Sequence, residues 1–143
     1  MKPETRMWKT RVRPILYVVP GLYYDRIETR TAVGVPDVAI TTDRGHGWIE
    51  LKVGHARDGM IDITTMTPQQ YNWITQRGLR TGRVWVFVWL QGSDDLCLFR
   101  SFEILRRRIP RSKFCFHVPV HRALKIESAL NQERWKEIIQ EVM

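Results

Sequence analysis

The chain predicts a single α/β domain, and three stretches carry that reading. Val38 to Thr42 and Gly47 to Val53 are short β-branched and apolar runs flanking Asp43-Arg44-Gly45-His46-Gly47, which is turn chemistry, so together they form a β-hairpin. Thr67-Pro68-Gln69-Gln70 opens a helix, with Thr67 as N-cap, Pro68 at the first helical position and Gln70 three residues after the cap. Gly78 after Arg77 is a stop signal, which puts this helix at about 68 to 77. Val84 to Trp89 is the most hydrophobic run, and Arg83 to Leu90 reads as a strand buried on both faces.

The remaining elements follow in order. Glu4 to Arg13 is helix-compatible, with Pro3 as a possible first helical residue and Pro14 as a stop; Met7, Trp8 and Val12 give it a partial apolar stripe. Ile15 to Val19 reads as a separate, short β-branched run that Pro20-Gly21 ends. Tyr23 to Thr29 is a first strand, and Leu96 to Arg100 returns as a strand after a turn at Gln91 to Asp95. Ile109, Phe114, Phe116 and Val118 imply one more short strand after the arginines. Trp135, Ile138, Ile139 and Val142 lie at the spacing of an amphipathic helix in the tail, which packs on the body or on a second subunit. The core is expected over 23–100, with a basic extension over 101–143.

At 143 residues, one domain with a real core suffices. With 43% hydrophobic and 27% charged residues the composition is globular. The net charge of +8 favours polyanionic partners, nucleic acid before an anionic membrane. Ile15 to Val19 is far too short for a membrane span of about 20 residues. Cys97 and Cys115 make no disulfide framework and no signal peptide opens the chain, so reduced thiols and the cytoplasm of a bacterial or virus-infected cell are expected. No glycine-rich phosphate cradle calls for a nucleotide cofactor.

Strand alternation puts Ile49, Leu51 and Val53 on one face of the hairpin's second strand, and Trp48, Glu50 and Lys52 on the other. A carboxylate and an ammonium thus stand side by side on a strand that should be largely buried. If Asp37 projects to the same face, two carboxylates and a lysine converge. A hard cation such as Mg²⁺, with Mn²⁺ as a substitute, is held by one or two carboxylates plus waters and phosphate oxygens. Asp37 and Glu50 fit that role, with the Leu51 carbonyl as a third oxygen. Lys52 would orient or deprotonate a water, or offset charge growing on a phosphate. The grouping suits hydrolysis of a phosphodiester.

Pro36-Asp37, thirteen positions, then Glu50-x-Lys52 resembles the PD-(D/E)xK nuclease signature; Gly34-x-Pro36-Asp37 with the downstream Gln70 is similar to its VRR-NUC and Holliday-junction-resolvase-like branch. The resemblance covers roughly Tyr23 to Leu90. It implies a restriction-endonuclease-like αβββαβ core with a mixed central sheet flanked by helices, a metal-dependent endodeoxyribonuclease selective for branched DNA, and a homodimer. A dimer also follows from chemistry, since a four-way junction needs two symmetric cuts. In this superfamily an upstream acidic residue often completes the metal site. Glu28 and Glu4 compete for that role, and Glu28 is preferred because a strand is a firmer platform than a terminus. Gln70 matches the family's glutamine yet also completes a capping box with Thr67, and would do only one at full strength.

Two stretches are expected to meet phosphates. Arg57 lies in a glycine-containing loop, Val53 to Gly59, that leaves the strand carrying the site. Arg106, Arg107, Arg108, Arg111 and Lys113 belong to a block from Arg100 to Lys125 opposed by Glu103 alone, a density that suits a phosphate-tracking surface.

Overall fold

The computed structural model describes residues 2–27, 34–63, 66–81, 83–104, 108–110, 115–117 and 137. In chain order the elements are α1 (Pro3–Met7), a π-helical turn (Trp8–Val12), α2 (Arg13–Val18), β1 (Tyr23–Arg26), β2 (Val38–Thr42), β3 (Gly45–Arg57), β4 (Met60–Asp62), α3 (Pro68–Thr81), β5 (Val84–Leu90), β6 (Asp95–Arg100), a 3₁₀ helix (Ser101–Ile104), β7 (Arg108–Pro110) and β8 (Cys115–His117). The strands form one sheet in the order β1-β2-β3-β5-β6-β8, with β4 and β7 branching from β3. β3 and β5 are parallel and α3 connects them, because a parallel pair needs a crossover. All other pairings are antiparallel. This is the restriction-endonuclease-like αβββαβ core with a mixed sheet between helices.

β5 shows how the two layers are built. All seven of its residues are buried, and they alternate between cores. Trp85, Phe87 and Trp89 pack with Ile49 and Leu51 against Met7, Val12, Ile15 and Leu16 from the N-terminal helices. Val84, Val86, Val88 and Leu90 face the other way, against Ile74 of α3, Ile61, Ile63 and Phe99. At about 1.5–3 kcal/mol per buried large apolar side chain, this two-sided strand is a major source of cohesion.

Several expectations are corrected. Glu4 to Arg13 and Ile15 to Val19 are not separate pieces, because helical conformation continues to Val18. Pro14 does not stop it. The Arg13 N–H donates to the Trp8 carbonyl five residues back, and this wider turn relieves the clash between a proline ring and the carbonyl four residues earlier. The π turn also sends Arg11 inward. Only 2% exposed, Arg11 pairs with Asp94 at 2.7 Å and lies 4.1 Å from the Trp89 ring centre. The loop expected over 53–59 is instead the end of β3 and its turn into β4, with Asp58 and Gly59 at φ 53° and 73°.

β1 ends at Arg26, and the Tyr23 to Thr29 reading beyond Ile27 lies outside the described residues, as does nearly all of the tail helix. Of the short strand expected from Ile109, Phe114, Phe116 and Val118, Phe116 lies in β8 and Ile109 in the separate β7, while Phe114 and Val118 lie outside the described residues. The antiparallel pairing of β8 sets Cys115 directly opposite Cys97, and the thiols expected to be reduced are joined in a disulfide.

α3 continues past its expected stop to Thr81. Gly78 serves a different purpose: a β-carbon there would stand 2.6 Å from the Ser101 β-carbon and collide with the Ser101 hydroxyl. Glycine lets the helix settle against the start of the 3₁₀ helix. Gly78→Ala should therefore destabilise the protein by about 1–3 kcal/mol despite alanine's better helix propensity. Adding Ser101→Gly should restore most of the loss, as read from urea-denaturation midpoints; a Gly78→Ala midpoint at or above the parent's would contradict the packing account.

Candidate active site

Asp37 is fixed by four contacts. Gly34, at φ +87°, lets the loop before β2 lie on the first turn of α3; a β-carbon there would come within 2.7 Å of the Gln69 carbonyl oxygen. The Asp37 carbonyl accepts from the Ile27 N–H at 2.7 Å and from Arg26 Nη1 at 3.1 Å. Its Oδ1 lies 3.1 Å from the same guanidinium nitrogen. Its Oδ2 accepts the Leu51 N–H at 2.9 Å, one step beyond the Val38 to Ile49 pair, where the carboxylate takes the place of a ladder carbonyl.

Glu50 is fully buried in the middle of β3. Its Oε1 accepts from Gln70 Nε2 at 2.8 Å and lies 3.2 Å from Lys52 Nζ. Its Oε2 has no hydrogen-bond partner among the described residues. Burial, reinforced by the charge of Asp37, pushes the Glu50 carboxyl up from its usual 4.5 to about 8. Lys52, through its charge and hydrogen bond, pulls the other way, and Glu4 adds a smaller push upward. Lys52 is itself 3% exposed and also lies 3.7 Å from Glu4 Oε1. The structure thus brings Asp37, Glu50, Lys52 and Gln70 together.

Gln70 departs from expectation by doing two things at once. Its N–H donates to Thr67 Oγ1 at 3.1 Å and its Oε1 accepts the Thr67 N–H at 2.9 Å, a complete capping box. The opposite end of the same carboxamide, Nε2, is left to hold Glu50. The two roles use different atoms and do not compete.

Of the two upstream acids, Glu4 reaches the site from α1, and Glu28 lies outside the described residues. Arg26, the cation beside Asp37, was not foreseen, since its position depends on the β1 to β2 register and no local motif announces it. Among the described residues no three His, Cys, Asp or Glu side chains assemble into a metal cage. The donor set nevertheless suits a hard divalent cation: two carboxylates, one with a buried oxygen that has no hydrogen-bond partner among the described residues, leave coordination positions for water and phosphate. Arg57, at the end of β3, is largely exposed and 3.7 Å from Asp62. Arg108 lies in β7 opposite Asp62 of β4, so this member of the arginine block stands beside the Arg57 hairpin. Arg106, Arg107, Arg111 and Lys113 lie outside the described residues.

No protein-family model matches the chain. No curated protein matches it. One solved structure that is similar is the Holliday junction resolvase Hjc of Archaeoglobus fulgidus, an archaeal hyperthermophile, with 13% identity over 76% of this chain and 81% of that chain and a TM-score of 0.44. A likeness this loose carries no conclusion about activity, so the chemistry stands on the side chains.

The raised Glu50 carboxyl sets a pH dependence. Between pH 4.5 and about 8 the folded state holds a proton that the unfolded state releases, so without metal this group's contribution to stability is full below that window and is lost as pH rises through it. In EDTA the parent's melting temperature should fall from pH 5 to pH 8.5 relative to Glu50→Gln, whose neutral amide carries no such linkage. Parallel melting profiles for the two proteins would show that Glu50 is ionised throughout.

Proposed function

We propose that the chain is a metal-dependent endodeoxyribonuclease that hydrolyses phosphodiester bonds, selective for branched DNA such as a Holliday junction, and active as a homodimer in the cytoplasm. The observation that carries the reading is the buried Oε2 of Glu50, without a hydrogen-bond partner among the described residues, beside Lys52 on the central strand and near Asp37. A buried carboxylate oxygen without a donor is costly unless a cation completes it.

Asp37 and Glu50, with the Leu51 carbonyl, would hold Mg²⁺ or Mn²⁺. When bound, the ion supplies Lewis-acid activation of the phosphate and lowers the pKa of a coordinated water. The Leu51 N–H and Arg26 hold the Asp37 carboxylate in place, and Gln70 Nε2 fixes the rotamer of Glu50. Glu50 must release its proton as the ion arrives, so ion affinity rises as pH approaches 8. Lys52 Nζ, steadied between Glu50 and Glu4, orients the attacking water or neutralises charge growing on the phosphate. Arg57 and the block of Arg106, Arg107, Arg108, Arg111 and Lys113 contribute affinity by neutralising neighbouring phosphates. The twofold assembly supplies the paired cuts that a four-way junction requires.

The test is incubation with labelled four-way junction, duplex and single strands in Mg²⁺, Mn²⁺ or EDTA. Cleavage is expected only with metal and most strongly on the branched substrate. Asp37→Asn, Glu50→Gln and Lys52→Ala should each abolish cutting while leaving DNA binding in place. Cleavage that persists in EDTA would falsify the metal mechanism, and tight binding without cleavage of any substrate would make the chain a noncatalytic DNA-binding protein.

A further inference from the structure

A further basic surface leads away from the Glu50 site along α3. Gln70, Trp73, Arg77 and Arg80 are spaced three, four and three apart, so they form one stripe on the helix. On β3, His46, Trp48, Glu50 and Lys52 alternate onto the same face of the sheet. The two rows meet at matching points: Gln70 holds Glu50, and the Trp73 and Trp48 rings pack edge to face with centres 5.3 Å apart. Arg77 then lies over Trp73 at 4.3 Å. The β3 row spans about 13 Å from Glu50 to His46. The α3 stripe spans about 15 Å from Gln70 to Arg80.

Arg83, just past the end of α3, is not part of this surface: it precedes Val84, so strand alternation turns it to the opposite face with Trp85. The Arg83 guanidinium occupies the space that a β-carbon on Gly45 would need. Between Asp62 and Asp94 the chain has no acidic residue, so nothing on α3 opposes Arg77 and Arg80.

Among the described residues no helix covers β1 and β2 on this face. Thr41 is only half-buried there, and Tyr23, paired with Thr41, is 75% exposed. Tyr24, its neighbour, turns to the opposite face and packs against Trp8, which confirms the orientation of Tyr23. Among the described residues, the carboxylates at this surface besides the site itself are Asp25, on the outer strand, and Asp43, in the β2–β3 turn. They leave the strip beside α3 positive.

We propose that this strip is the path by which one strand of DNA reaches the cutting site, its phosphates lying along Arg77 and Arg80 and one unpaired base stacking on Tyr23. The assignment rests on the Asp37 and Glu50 site being where that strand is cut. An exposed aromatic ring beside a basic track is the combination that binds single strands, because every base offers a stacking face while the phosphates supply charge. A paired base has no free face to offer Tyr23.

The test is binding of a fluorescein-labelled single-stranded oligonucleotide in EDTA, followed by anisotropy over a salt series with the full chain. Arg77→Gln with Arg80→Gln, both exposed, should make the slope of log affinity against log salt shallower by about 1.4, or 0.7 for each phosphate that is no longer neutralised. Tyr23→Ala should weaken binding roughly 5- to 100-fold, and Tyr23→Phe should bind like the parent. An unchanged slope in the double variant, parent-like binding by Tyr23→Ala, or an equal loss on blunt duplex would each overturn the assignment. Metal-free binding also separates this proposal from the nuclease reading. Weakened binding in these variants of a protein that cuts nothing would remove the reaction and keep the surface, whereas normal cleavage with unaffected binding would do the reverse.

Discussion

The structure depends on keeping one carboxylate inside the sheet. Glu50 sits at the centre of β3 with no solvent contact, and the pieces around it answer that burial. Lys52 supplies the compensating charge, Gln70 supplies a donor, and Asp37 works against both by adding negative charge nearby. The outcome in the metal-free protein is a carboxyl held near neutrality at physiological pH, a poor arrangement for stability and a good one for accepting a cation. Stability surrendered at one residue is recovered in the apolar layers on either side of β5.

What was legible in the sequence was mostly what is local. The β2–β3 hairpin, the start of α3 and the doubly buried β5 each carry their signal within a few residues, and all three form as expected. So does the pairing of Glu50 and Lys52 on one strand face, since alternation alone decides it. Features set by distant contacts were not legible. Ile15 to Val18 have β-branched character, yet the apolar surface of the sheet recruits them as helix. Gly54 suggested a loop, but it lies in β3, where a β-carbon would meet Val88. Glu4 was the less favoured acid because its arrival depends on how the N-terminal helix lies across β3.

Gln70 exposes a limit of a different kind. A residue type with one donor end and one acceptor end satisfies a local motif and a tertiary one together, and sequence reading that forces a choice between them undercounts its roles. The helix start and the site are therefore one structure: the bonds that begin α3 also fix the carboxylate beneath it.

The π turn gives the N-terminus a mechanical property. Arg11 and the residues of α2 are anchored by Asp94, Trp89 and the sheet, so the turn between Trp8 and Val12 acts as a gear that determines which way α1 faces. Removing a single residue from it would return the segment to regular winding and rotate everything upstream by about 100°. Glu4 would swing off Lys52, and Met7 and Trp8 would leave their places in the core. Substitutions along α1 act one position at a time, but a one-residue deletion here would strip the site of its third carboxylate without touching any residue in it.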